Sequence, residues 1–121
     1  MTQLGRGSRR ALRGARVSLR RRPFADLVRR QLDIFTQDEA ALLQEARTAE
    51  IAWQRSGRES AEEAYGDWQL VADSIAERLL DLRETYGGTL DETTGPTYRS
   101  VFDGQARKRF PRFVALLDDE D

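Results

Sequence analysis

Asp67, Asp73, Glu77, Asp81 and Glu84 recur within one short stretch, several of them four residues apart. Carboxylates at that spacing share a helix face and could in principle hold a pair of metal ions. Ferritin-like centres, however, join such carboxylates to Glu-x-x-His, and this chain has no histidine. The spacing therefore predicts a charged outer helix face. Glu77 and Asp81 are expected on its exposed side, balanced by the neighbouring Arg78 and Arg83. The stretch "DETTG" at 91–95 lacks the spaced oxygen ligands and terminal glutamate of a calcium loop.

Other chemistries are poorly supplied. Without cysteine there are no disulfides, thiolate nucleophiles or iron–sulfur ligands. Without histidine the usual proton shuttle near neutral pH and the usual zinc ligand are missing. Serine and threonine hydroxyls have no imidazole to activate them. "GRGS" and "RGAR" are too short to cradle phosphate, and no strand precedes them. The expectation is a protein that is not an enzyme, with no catalytic residue, metal ligand, cofactor or small-molecule substrate.

What remains is binding chemistry. The stretch "RGSRRALRGARVSLRRR" at 6–22 carries Arg6, Arg9, Arg10, Arg13, Arg16, Arg20, Arg21 and Arg22 and no acidic residue. The rest of the chain has 12 basic and 21 acidic side chains, net −9. The tail attracts phosphates and the body repels them. These arginines are candidate phosphate contacts, whose binding would fall with salt at a slope of roughly −0.9 per neutralised phosphate. An anionic lipid surface or the acidic body itself offers the same charge. Nothing beside the tail reads bases, so nucleic-acid binding would be nonspecific. "SRRAL" has an export-type arginine pair, but arginines interrupt the apolar core that should follow. A transit peptide and an upstream start codon are further readings of the same composition. Only Lys108 among the basic residues is not arginine, a bias of GC-rich, bacterial coding.

Two aromatic sets stand out in the body. Trp53, Tyr65 and Trp68 fall near one end of a predicted helical hairpin, either closing its core or forming a partner-binding patch. Arg107, Lys108, Arg109, Phe110, Arg112 and Phe113 mix cations with rings that could stack on bases. The phenylalanines are more simply expected to dock on the hairpin.

The elements that must position these residues are helical. Val28, Phe35, Leu42 and Ala49 repeat every seven residues, beside a second track of Leu32, Glu39, Ala46 and Trp53. Such a coiled-coil-like seam faces a partner helix, with Glu39 its one flaw. Because the heptad phase runs through, it predicts one helix over 24–55, kinked at the Thr36–Glu39 capping signal; the alternative is a short helix ending near Phe35 and a second from Gln37. Ser56-Gly57 ends it through a left-handed glycine. Ser60 with Glu63 starts a second helix over 61–86, apolar at Ala61, Ala64, Trp68, Val71, Ile75, Leu79, Leu82 and Tyr86. Gly87-Gly88 stops it. Pro96 opens a third helix over 97–110, broken at Pro111 because the residue before proline avoids the α region.

The predicted architecture is all-α: a long antiparallel hairpin with a C-terminal helix packed across it. Residues 1–22 form a basic tail, expected disordered in isolation, 23–117 one domain, and 118–121 an acidic end. No apolar run reaches the roughly 18 residues of a membrane span. Cytoplasm is the default expectation. The leading functional expectation is a non-catalytic protein acting through protein–protein contacts, by self-association as a dimer. The alternative is a sequence-nonspecific nucleic-acid-associated protein using its arginine arm.

Overall fold

The computed structural model describes residues 23–114, and among them the secondary structure is helical, without strands. The elements are α1 (Ala25–Asp38), α2 (Ala40–Arg55), α3 (Ala61–Gly87) and α4 (Thr94–Arg109). One more helical turn follows at 111–114. The eight arginines of 6–22, residues 115–117 and the acidic end 118–121 lie outside the described residues.

The 24–55 stretch is helical in two pieces, α1 and α2, interrupted at Glu39 (φ −105°, ψ 25°), so the two-helix alternative is the closer one, with the break a few residues later than Phe35–Gln37. Two local causes converge there. The Thr36 hydroxyl donates to the Leu32 carbonyl at 2.8 Å, a back-bond that bends helices. It therefore does not cap a new helix as the Thr36–Glu39 pairing suggests. Glu39 occupies a seam position where a charge cannot be buried alone. At the interruption its carboxylate accepts from Arg78 of α3 at 2.9 and 3.0 Å.

The order of contacts fixes the directions. Trp53 meets Tyr65 and Trp68, while Glu39 meets Arg78, so α2 and α3 run antiparallel. Glu84 meets Arg99 and Arg83 meets Asp103, so α4 turns back along α3. Phe24 meets Tyr98 and Phe35 meets Phe110, so α1 and α4 run in the same sense. The core sits where α1, α3 and α4 converge. Val28, Leu32, Ile75, Leu79, Tyr98, Phe102 and Val114 are fully enclosed there. On α2 only Ala46 is buried, so the α2–α3 end of the hairpin is a two-helix arm.

The helix ends differ from expectation in their chemistry. No glycine among the described residues has positive φ. Instead Ser56 takes extended backbone after α2 and its hydroxyl donates to the Trp53 carbonyl at 2.6 Å. Ser60 precedes α3, but its side chain makes no capping hydrogen bond. Gly88 ends α3 in a right-handed conformation. Gly87 sits in a tight place: a Cβ there would lie 3.3 Å from the Tyr98 ring and 3.4 Å from Arg99 Nε, so those side chains would have to give by a few tenths of an ångström. Pro96 does not open α4, which begins earlier, at Thr94. The Asp91 carboxylate does this work, accepting from the Thr93 and Thr94 N–H groups at 2.9 and 2.7 Å. The break at Pro111 is present, with Phe110 outside the α region (φ −131°, ψ 58°).

Candidate interaction surface

The structure gathers Trp53, Tyr65 and Trp68 at the open end of the arm. Trp53 lies 4.8 Å from Tyr65 and 5.5 Å from Trp68 between ring centroids, and Tyr65 lies 5.9 Å from Trp68. Both indoles are half-buried and Tyr65 is exposed. The Trp68 Nε1–H is enclosed without an acceptor. These rings close the two-helix seam where, among the described residues, no third helix packs, and Tyr65 is exposed.

The basic-aromatic segment is used differently from a base-stacking surface. Phe110 is buried edge-on against Phe35 at 5.7 Å, and Phe113 packs on the same core. Arg109 pairs with Asp33 at 2.7 Å and Arg112 with Glu50 at 3.0 Å. Arg107 is also engaged, and Lys108 is exposed. The end of α4 is thus tied to α1 and α2 by its rings and its arginines together.

The acidic stretch splits in two. Asp67, Asp73, Glu77 and Asp81 are exposed. Glu84 instead receives Arg99 through two nitrogens, at 3.0 to 3.3 Å, and Arg83 at 2.9 Å. The Arg99 hydrogen bonds hold the Glu84 carboxyl below the usual range against its partial burial, and Arg83 adds to the effect. Arg83 was expected on the surface beside Glu77 and Asp81, but it is buried. Its guanidinium reaches both Asp103 oxygens at 2.9 Å. Burial alone would lower its pKa; the bonds and charges of Asp103 and then Glu84 raise it. The spacing carried a signal for this. Arg83 continues the apolar series Ile75, Leu79 at steps of four, and so must point inward. Tyr98 is fully buried, and its hydroxyl donates to Gln31 at 2.8 Å. Its ring also meets Phe24 edge-on at 5.5 Å and Tyr86 at 4.8 Å, a cluster local spacing does not reveal because the rings come from the start of α1, from α3 and from α4.

A different feature has the character of a docking surface. Asp67, Leu70, Ser74, Arg78, Asp81 and Thr85 follow one another at helical steps along one face of α3. Against α2 this face forms a groove of about 440 Å³ floored by Ala49, Ala52, Ala64 and Val71, with Glu45 and Asp67 at its edges. Leu70 stands in it, 70% exposed. Against α1 the same face forms a second groove of about 290 Å³, lined by Ile34, Phe35, Leu82, Asp38 and Asp81. Ile34 is 51% exposed. None of Glu45, Asp67, Asp38 or Asp81 was singled out from sequence as part of a binding surface. Their grouping depends on how α1 and α2 pack against α3.

Among the described residues no helix is long and apolar enough to cross a membrane. Nor do they bring three or more carboxylates close enough together to hold a metal ion. In comparisons with known proteins, the chain matches no family model, no curated protein and no solved structure.

Proposed function

We propose that this is a non-catalytic helical protein that works through protein–protein contact, and that the contact is self-association through the α2–α3 arm. The carrying observation is Leu70, 70% exposed over a groove of small side chains. A single Leu on a surface is ordinary. Here it stands on an arm only two helices thick, beside alanines that leave room for an incoming side chain. Two such arms, stacked face to face, make a four-helix layer. A two-fold arrangement places each Leu70 in the partner's alanine groove. Glu45 and Asp67 fall at the rim, where water still reaches them.

The acidic rims give the association a recognisable salt dependence. Like charges approach each other, so screening tightens the dimer rather than loosening it. Sedimentation velocity of the full chain at micromolar concentration tests the reading. The expected result is a dimer that becomes a monomer in Leu70→Glu and persists in Leu70→Met. A wild-type chain that sediments only as a monomer overturns it.

A further inference from the structure

We propose that the arginine-rich segment 6–22 is the occupant of the acidic groove between α1 and α3, folding back onto its own body. This surface is separate from the Leu70 groove and does not rest on self-association.

Asp38 and Asp81 stand on the rim of the groove and have no ion-pair partner among the described residues, and Glu77 follows one turn before Asp81. Arg78, the one cation among the described residues lining the groove, is already held by Glu39 at 2.9 Å. The floor is apolar, with Ile34 half in water. A complementary ligand carries cations flanking a narrow apolar stripe. In helical register the segment places Ala11, Leu12, Ala15 and Leu19 on one side, with Arg13, Arg16 and Arg20 beside them. The apolar side meets Ile34 and Leu82, and the arginines meet Asp38 and Asp81. Bidentate pairing suits guanidinium to carboxylate better than it suits lysine.

The segment also starts in the right place. It joins the body at Pro23, and the adjoining Phe24 ring lies 6.5 Å from Tyr86. Tyr86 follows Thr85, which lines the near end of the groove. From Thr85 to Arg78 is roughly 10 Å along α3, whereas a 17-residue segment spans roughly 26 Å as a helix. A tether this short gives an effective concentration in the millimolar range. A modest complementarity therefore suffices for occupancy, and a second copy or an outside basic peptide competes at a disadvantage.

The chain has no cysteine, so Ser18→Cys offers a unique site for a nitroxide label on the full chain. The experiment reads line broadening of backbone amides in the isotope-labelled protein. The expected result is strong broadening at Ile34, Asp81 and Thr85 and little at Trp53 or Lys108. The broadening disappears in about 0.5 M salt, where charge interactions are screened within a few Å. It also disappears in the Asp38→Lys, Asp81→Lys double variant, whose circular dichroism confirms that the body is folded. Absent or evenly spread broadening in the wild type overturns the proposal. So does broadening that appears only on isotope-labelled chains mixed with unlabelled, nitroxide-bearing ones, which would make the occupant a second copy. A segment that leaves the groove unbroadened but binds random duplex DNA assigns the arginines to phosphate, and overturns it as well. A monomeric chain with the expected broadening would remove the self-association reading and leave this one standing.

Discussion

Replacing Asp103 by alanine tests the most deeply placed polar interaction of the fold. The Arg83 side chain is 7% exposed and Asp103 is 20% exposed. Both Asp103 oxygens accept from the guanidinium at 2.9 Å. Removing one partner of a fully buried pair costs about 3–5 kcal/mol, because a charge is left without compensation. Two features reduce that figure here. Asp103 keeps some contact with water, and Glu84 still holds the guanidinium through Nε at 2.9 Å. The expected loss for Asp103→Ala is therefore about 2–3 kcal/mol. Arg83→Met keeps the aliphatic stem in the core and leaves Asp103 to water, at about 1–2 kcal/mol. In Arg83→Met, Asp103→Leu no charge remains unpaired at this pair. The double variant should lose less than the sum of the single losses, with a coupling of about 1–2 kcal/mol. Urea unfolding followed by far-UV circular dichroism measures all four chains. A domain of this size has about 5–10 kcal/mol in total, so the losses fall well within range. If Asp103→Ala costs under about 0.5 kcal/mol, or if the single losses simply add, Arg83 is a solvated surface cation and the description of α3–α4 packing is wrong.

Three further outcomes are expected. Glu84 and Asp91 are both held below the usual carboxylate range, Glu84 mainly by Arg99 and Asp91 by the Thr94 N–H and hydroxyl. A folded pKa below the unfolded one stabilises the protein above the carboxylate range. That contribution is lost as pH falls through the folded values, from about pH 5 downward. Glu84→Gln and Asp91→Asn should each flatten the acid limb of stability against pH, and an unchanged limb contradicts the assigned hydrogen bonds. A Cβ at Gly104 meets nothing within 4 Å, so Gly104→Ala should stabilise α4 by about 0.5–1 kcal/mol, read as a higher urea midpoint. Trp68→Phe removes an enclosed N–H that has no acceptor. Its cost should therefore be under about 1 kcal/mol despite the lost ring area, and a larger loss on urea unfolding would mean that the indole N–H has a partner.

Helix type, approximate helix extent and the break at Pro111 follow from the sequence because each rests on local rules. Seven-residue apolar spacing produces the α1–α2 seam, and the clash before proline produces the break. The meeting of Trp53, Tyr65 and Trp68 was legible for a similar reason, since a short loop forces neighbouring helices to pair. The candidate interaction surface was not legible. Leu70 lies one position before Val71 in the apolar pattern, and only the packing shows that α4 covers the Arg83 side of α3 and leaves the Leu70 side bare. Glu39 looked like a flaw in a straight seam, and whether a flaw bends a helix depends on what stands opposite. Arg78 stands there, and its ion pair with Glu39 lies where α1 and α2 are interrupted. Local spacing determined which residues are helical and which face each shares. The tertiary structure alone decided which faces are covered, because burial depends on where distant helices come to rest.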